Sequence, residues 1–307
     1  MKNILVIHYS QSGQLTEIVN NIAMPLNNSK NIKVVHHQIE METPFAFPWK
    51  KKDFLNAFPE SFLQIPSKTK PIPEAILNQK FDLVILGYSV WYLSPSIPTN
   101  SFLSTPEAKQ LLANTPIITV IGCRNMWVMA QEKVKTLLKE CGSKLVGNIV
   151  LRDRHINHIS VITIVQWMFS GEKKKYLGIF PKPGVSQKDI DESTRFGDVI
   201  LDHTISNNLD NLQKSLVKEE AVVIKPFLVL ADKRANVLFG KWAKLIYSKG
   251  ESNINKRTIW IKIFNYYLLF AIWVIAPVVF LLFLLTYLPL SGKIKKDKKY
   301  YSSVEIK

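Results

Sequence analysis

The hydrophobic and polar positions of this chain fall into two regimes. Through the first 150 residues, short apolar runs alternate with stretches of helical spacing. Residues 3–9 (NILVIHY), 31–39 (NIKVVHHQI), 81–88 (FDLVILGY), 116–122 (PIITVIG) and 144–151 (KLVGNIVL) are rich in β-branched residues and predict five strands. Between them, Leu15, Ile18, Val19 and Ile22 share one face of a helix over 15–26, and a helix over 127–141 stops at Gly142. Near-continuous apolar strands separated by helices imply an α/β fold whose parallel sheet is covered on both faces.

The second regime begins where this rhythm breaks. Residues 44–73 hold six prolines with Phe45, Phe47, Trp49, Phe54, Phe58 and Phe62 between them. That is too long for an ordinary strand-to-helix connection and too aromatic for a solvated linker. Residues 152–185 are a second insertion, with an apolar piece (Ile159–Phe169) followed by Lys173, Lys174 and Lys175. A helix is expected over 186–205, with Ser186 as N-cap and Asp189 three residues on. Residues 207–247 read as one or two basic amphipathic helices, and 264–290 (FNYYLLFAIWVIAPVVFLLFLLTYLPL) form one uninterrupted apolar run. No internal repeat is visible. The expected organisation is a domain over 1–206, with the insertions 44–73 and 152–185, and a helical region over 207–307.

Charge sharpens this division. The formal net charge is +16, from 40 Lys+Arg against 24 Asp+Glu. Residues 1–150 carry 15 basic and 10 acidic residues, whereas 240–307 alone carry 12 against 3. The excess therefore brackets the apolar run, which points to an anionic membrane rather than to nucleic acid. Cys123 and Cys141 are too few for a disulfide framework or a four-cysteine zinc site, and no His/Cys/Asp cluster has ligand spacing, so no metal is expected. The opening apolar run ends after eight residues in polar turn residues and makes a poor signal peptide.

Candidate chemistry lies in three loops that follow strands. Ser10-Gln11-Ser12-Gly13-Gln14-Leu15-Thr16 joins the first strand to the first helix, where hydroxyls and backbone N–H groups suit a phosphate. Neither GxxxxGK[ST] nor GxGxxG is present, so a nucleoside triphosphate loop is excluded and a dinucleotide loop is disfavoured. With Ser10, Ser12 and Gly13 in place, the loop resembles the phosphate loop of the flavodoxin-like family, [ST]-x-[ST]-G-x-[ST]. Leu15 departs from it where a third hydroxyl is usual. After the third strand, Ser89-Val90-Trp91-Tyr92-Leu93-Ser94-Pro95 resembles the flavin loop of that family's quinone-reductase branch. After the fourth, Gly122-Cys123-Arg124-Asn125-Met126-Trp127 occupies the place of the family's third flavin loop.

The resemblance implies strand order 2-1-3-4-5, FMN as cofactor, and FMN contacts from Ser10–Leu15, Ser89–Leu93 and Gly122–Asn125. It leaves room for NAD(P)H as reductant and for a homo-oligomer. It assigns no catalytic residue. Arg124 would stabilise negative charge on a reduced flavin or a substrate oxyanion, or else pair with a surface carboxylate. Trp91 and Trp127 would serve equally well as core residues. Cys123 reads as a small core residue, and Arg152, Asp153, Arg154 and His155 either line the pocket or form a surface ion-pair cluster.

The YSQSG start, the segment Phe45-Ala46-Phe47-Pro48-Trp49 and the apolar C-terminal stretch resemble bacterial proteins called dialkylresorcinol condensing enzymes. That implies a role in making the alkylated resorcinols of flexirubin and aryl-polyene type lipids. A carbon–carbon condensation usually needs a Cys with a His or Asn partner, and Cys123 shows none. The expected step is instead FMN-dependent aromatisation of a cyclic diketone, with a separate ketosynthase partner. The alternatives are an NAD(P)H–quinone reductase at the membrane and a flavin-free scaffold. The expected location is the cytoplasmic face of the membrane, with a lipophilic substrate; the apolar run forms either a single span, which would export the lysine-rich tail, or, as favoured, a re-entrant helix pair broken near Pro277 that keeps both basic flanks on one side.

Overall fold

The computed structural model describes residues 1–306, with Ser252 described by its backbone alone. Strands β1 (Lys2–His8), β2 (Ile32–Gln38), β3 (Leu83–Trp91), β4 (Ser94–Pro95), β5 (Pro116–Cys123) and β6 (Lys144–Arg152) form one sheet. In its first half the helices are α1 (Gln14–Asn27), α2 (Lys51–Asn56), α3 (Phe58–Leu63), α4 (Glu74–Leu77), α5 (Ile97–Leu103), α6 (Pro106–Leu112) and α7 (Val128–Glu140). Then come α8 (Asn157–Ser170), α9 (Gln187–Asp191), α10 (Thr194–Ile205), α11 (Leu212–Lys218), α12 (Pro226–Ser252), α13 (Ile254–Phe270), α14 (Ala276–Thr286) and α15 (Ser291–Tyr301).

The sheet order is β2-β1-β3-β5-β6, all parallel, which is the expected succession for the five long strands. The expected count of five is corrected to six. Strand β4 pairs antiparallel with the end of β3 through Val90–Pro95 and Trp91–Ser94. The chain reverses there at Tyr92 and Leu93, whose φ values are 48° and 61°. Two side-chain-bearing residues in the left-handed region give no Gly or Asn signal from which to read a hairpin.

Period-two alternation explains the covering on both faces. Leu5, Ile7, Val84, Leu86, Ile117 and Ile121 face one layer, which also holds α6 and α7 residues. Ile4, Val6, Leu83, Ile85, Ile118 and Val120 face the layer of α1, α10 and α11. Helices α1 and α10 approach closely because Gly197 lies directly on the Ile22 carbonyl and the Pro25 ring. The expected 186–205 helix is divided at Glu192–Ser193 into α9 and α10, and Ser186 does cap α9 by accepting the Asp189 N–H.

The aromatic insertion and the C-terminal helices form one further core. Phe58 and Phe62 of α3 pack with Ala243 and Ile246 of α12 and with Ile261 and Phe264 of α13. The Phe58 and Phe264 rings are stacked, 3.9 Å apart and 4° from parallel. The chain turns at Asn253, whose side-chain carbonyl accepts the Asn255 and Lys256 N–H groups and starts α13. The break expected near Pro277 is absent, because the helix runs on from Ile254 to Thr286. A π-helical stretch at Ala271–Ile275 comes just before Pro277, and the wider turn accommodates the proline ring and its missing N–H without a reversal.

Candidate functional site

The three candidate loops converge at the carboxyl ends of β1, β3 and β5. β1 feeds β2 on one side while β3 lies on its other side, so loops 10–15 and 89–93 flank the point where the winding reverses. Ligands of open α/β sheets bind at such a point.

Loop 10–15 presents an unsatisfied anion cradle. Gly13 is the N-cap of α1 with φ 83°, and no side chain caps the helix. A glycine is required by that left-handed backbone, and a Cβ there would meet nothing within 4 Å. The first-turn N–H groups of a 14-residue helix therefore open onto the loop. Ser10 Oγ is buried without a hydrogen-bond partner, and Ser12 is exposed. Leu15, by contrast, is buried beneath the sheet ends, and a Cβ on Gly122 would lie 3.2 Å from it. Its side chain is part of the core. The neighbouring Thr16 hydroxyl is 2.9 Å from His8 Nε2, inside the fold. Burial, with smaller contributions from His36 and His37, lowers His8 to about 4, so the ring is neutral.

The two insertions roof this loop. Gln11 donates to the Ala46 carbonyl at 2.8 Å and accepts the Trp49 indole N–H at 2.9 Å. Gln14 makes a two-bond contact with the Val185 backbone, both at 3.1 Å. Trp91 packs edge-on against Tyr9, Phe45 and Trp49, with ring centroids 6.2, 5.2 and 5.4 Å apart. Tyr92 and Leu93 turn away, into the aromatic core with Phe58, and Tyr92 donates its hydroxyl to the Phe54 carbonyl at 2.7 Å. Ser89 and Val90 form the backbone of the hairpin, where Ser96 donates to the Ser89 carbonyl and Val90 pairs with Pro95.

Loop 122–125 supplies a partly buried cation. Among the described residues Arg124 meets no surface carboxylate; it donates to Asn157 Oδ1 at 2.8 Å, and Asn125 donates to the same oxygen at 2.8 Å. Burial, partly offset by Asp153, lowers the guanidinium to about 10. Burial pushes the Cys123 thiol up to about 12, which makes it a neutral core group and no nucleophile. The 152–155 cluster is tied by ion pairs, with Arg154 and His155 exposed and Asp153 buried. Asp153 is buried and accepts from Ser160 Oγ at 2.7 Å and from the His155 N–H at 2.9 Å, with His155 Nδ1 at 2.7 Å. Arg154 forms an outer ion pair with Asp189 at 2.6 Å. The exposed His155 ring is oriented by a buried carboxylate.

Sequence reading missed Asp232 and Lys133. Asp232 lies on α12, where an acidic residue of a basic amphipathic helix reads as solvated. It is instead buried, accepting the Met129 N–H at the start of α7 at 3.3 Å, while its Oδ1 has no partner. It lines one cavity with Asn125, Arg152 and Lys225, and Asn125 Oδ1 is unpartnered too. Burial raises Asp232 to about 7 against the opposing pull of the α7 N–H groups and Lys133. Lys133 donates to the Phe62 carbonyl at 2.8 Å and to Ser94 Oγ at 2.6 Å, and burial lowers it to about 8.

A raised carboxyl binds more protons folded than unfolded, so its contribution to stability falls as pH rises from about 4 to about 7. Asp232→Asn keeps the acceptor for α7 and removes the titration. Thermal melts should coincide for variant and wild type near pH 4 and diverge toward pH 8, with the variant the more stable by a few kcal/mol, ~4 at most. Parallel melting curves across this range would exclude a raised carboxyl.

The phosphate end of FMN fits these residues, by the uncapped α1 N-terminus, the left-handed Gly13 and the orphaned Ser10 hydroxyl. Beside this loop, Trp91 packs against the insertion's Phe45 and Trp49.

No protein-family model matches the chain, and no curated protein matches it. Among solved structures it is similar to a flavoprotein in complex with FMN from Lactobacillus acidophilus, at 14% identity and TM-score 0.39, over 49% of this chain and 93% of that one. It is similar to an archaeal flavodoxin at 13% identity and TM-score 0.38, over 66% and 98%. A third likeness is to FerB, an NAD(P)H:acceptor oxidoreductase from Paracoccus denitrificans, at 14% identity and TM-score 0.31, over 67% and 98%. These likenesses are remote, and the assignment of a doubly wound α/β fold rests on the strand order itself.

Proposed function

We propose that this chain is an FMN-dependent oxidoreductase acting on a lipophilic substrate at the cytoplasmic face of a membrane. The observation that carries the reading is the uncapped N-terminus of α1, with the unpartnered Ser10 hydroxyl beside it, at the point where the sheet winding reverses. The α1 N-terminus, Ser10 and Ser12 would hold the phosphate. FMN, when bound, supplies a two-electron acceptor or donor. Trp91, Phe45 and Trp49 exclude water and offer apolar surface to a greasy substrate. Arg124 favours negative charge in its surroundings, and His155, held by Asp153, takes or returns a proton at its ring nitrogen.

Within that reading, the resorcinol resemblance makes the reaction an aromatisation. A cyclic diketone becomes a resorcinol by losing the equivalent of a hydride and a proton, so one electron-pair acceptor and one base suffice. Carbon–carbon bond formation is left to a separate ketosynthase. The alternative, a quinone reductase, differs in using NAD(P)H as donor, and it is read directly from NAD(P)H oxidation in the presence of a quinone.

The test is to purify the full chain in mild detergent and titrate it with FMN, following flavin fluorescence and visible absorbance. Saturable one-to-one binding is expected. A colourless chain that leaves FMN fluorescence unchanged would overturn the reading and leave the flavin-free scaffold. Condensing activity without any ketosynthase would overturn the assignment of the reaction.

A further inference from the structure

The long apolar helix over 254–286 is fastened to the body at both ends and in the middle. Near its start, Arg257 donates to Glu60 Oε2 and to the Asn56 carbonyl, both at 2.8 Å, and Phe264 is fully buried against Phe58. In the middle, His158 Nε2 is 3.2 Å from the Ile272 carbonyl, and its ring lies 5.0 Å from that of Trp273. Near its end, Phe283 is buried against Phe227 at the start of α12. The chain then returns to the body. Lys233 pairs with Asp297 at 2.9 Å, Tyr300 donates to Glu132 Oε2 at 2.6 Å, and Gln213 donates to the Ser302 carbonyl at 2.9 Å.

At 33 residues the helix is about 50 Å long, ample to cross a bilayer of about 30 Å. Crossing would nevertheless require one of these attached ends, and the body with it, to pass through the hydrocarbon. From Tyr266 to Leu285 the outward side is apolar. Tyr266, Phe270, Val274, Val278, Leu281 and Leu285 follow one another at helical spacing and are exposed, Leu285 at 79%. Only 6% of the most apolar stretch of the helix is buried. A contiguous apolar face of this length is far larger than soluble surfaces carry. Its flanks choose the occupant. Lys256 and Lys262 lie near one end, and Lys293, Lys295, Lys296, Lys298 and Lys299 follow the other, which matches an anionic lipid surface. Tyr266, Trp273 and Tyr287 have the amphipathic rings that settle at headgroup depth.

We infer that the 254–286 helix lies parallel to the membrane, embedded in one leaflet of an anionic bilayer, with residues 291–306 on the same side as the α/β body. This rests on the membrane part of the proposed function and is independent of its flavin part. It replaces the broken hairpin by a single flat helix, and it places the aromatic core of α3 against the lipid-bound element.

The experiment uses the full chain with vesicles of phosphatidylcholine, alone or mixed equally with phosphatidylglycerol. Cosedimentation should be at least about ten-fold stronger with the anionic vesicles. The pair Leu281→Glu and Leu285→Glu should reduce it about ten-fold, with the melting temperature held within a few degrees. A membrane-impermeant maleimide added outside should label Asn20→Cys and Glu305→Cys equally, above the wild-type background. Binding with Glu305→Cys protected until the vesicles are lysed would overturn the flat geometry and leave the membrane reading intact. Absence of binding to both vesicle types, or self-association through this face instead, would overturn both.

Discussion

Ser12→Glu should abolish FMN binding, weakening it by more than about 100-fold, or about 3 kcal/mol. The new carboxylate would occupy the exposed position beside the uncapped start of α1 and set its charge against the phosphate. It would also favour the helix N-terminus when FMN is absent, so the folded chain should melt at or slightly above the wild-type temperature. That combination separates loss of the site from loss of the fold. Ser12→Ala, which removes one hydroxyl and adds no charge, should cost about ten-fold or less. The readout is the fluorescence titration described above. Equal affinity for wild type and Ser12→Glu would show that the phosphate does not lie at this loop.

The largest effect on stability is expected from Gly197→Ala. A methyl group there runs into the Ile22 carbonyl oxygen and lies 2.8 Å from the Pro25 ring. The obstacle is backbone and cannot rotate aside, so α1 and α10 must separate and open the layer that covers Ile4, Val6 and Ile85. The expected loss is about 3 kcal/mol or more, beyond the ordinary cost of one extra methylene in a core. Gly240→Ala is the matched control, because its added carbon would meet only the Phe62 ring edge at 3.4 Å within α12. Helix propensity should then make it neutral or stabilising by about 1 kcal/mol. Denaturant unfolding of the two variants beside wild type decides the matter. Similar curves for both glycine variants would mean that the helices are not in contact at Gly197.

Strand period and apolar runs carried most of the fold, because a doubly covered parallel sheet writes itself into sequence as continuous β-branched segments. The N-cap at Ser186 was legible for the same kind of reason, since a local hydrogen bond selects the residue type. What stayed hidden is long-range. The hairpin at Tyr92–Leu93 is imposed by burial of both side chains against α3 and α13, not by turn residues. Pro277 suggested a reversal, but an adjacent π turn absorbs it and Asn253 makes the turn instead. Asp232 looked like one more charge on an amphipathic helix, and only the packing of α12 on α7 buries it. The candidate loops were found by their place after strands. Their gathering into one region follows from strand order, whereas the closing of Trp49 onto Gln11 required the path of an insertion that no local pattern dictates.

The return of the chain end to the sheet also fixes an order of events during synthesis. Gln213 bonds through one end of its amide to the Asn148 N–H of the edge strand β6 and through the other to the Ser302 carbonyl, while Tyr301 is buried in the same core as Leu86 and Val134. A ribosome adding about 5–20 residues per second completes β6 many seconds before these partners exist. The nascent body must therefore wait with that part of its core open. The apolar helix emerges only after α3 and α12, which hold its two ends, have been made, so its seating on the body is a late event.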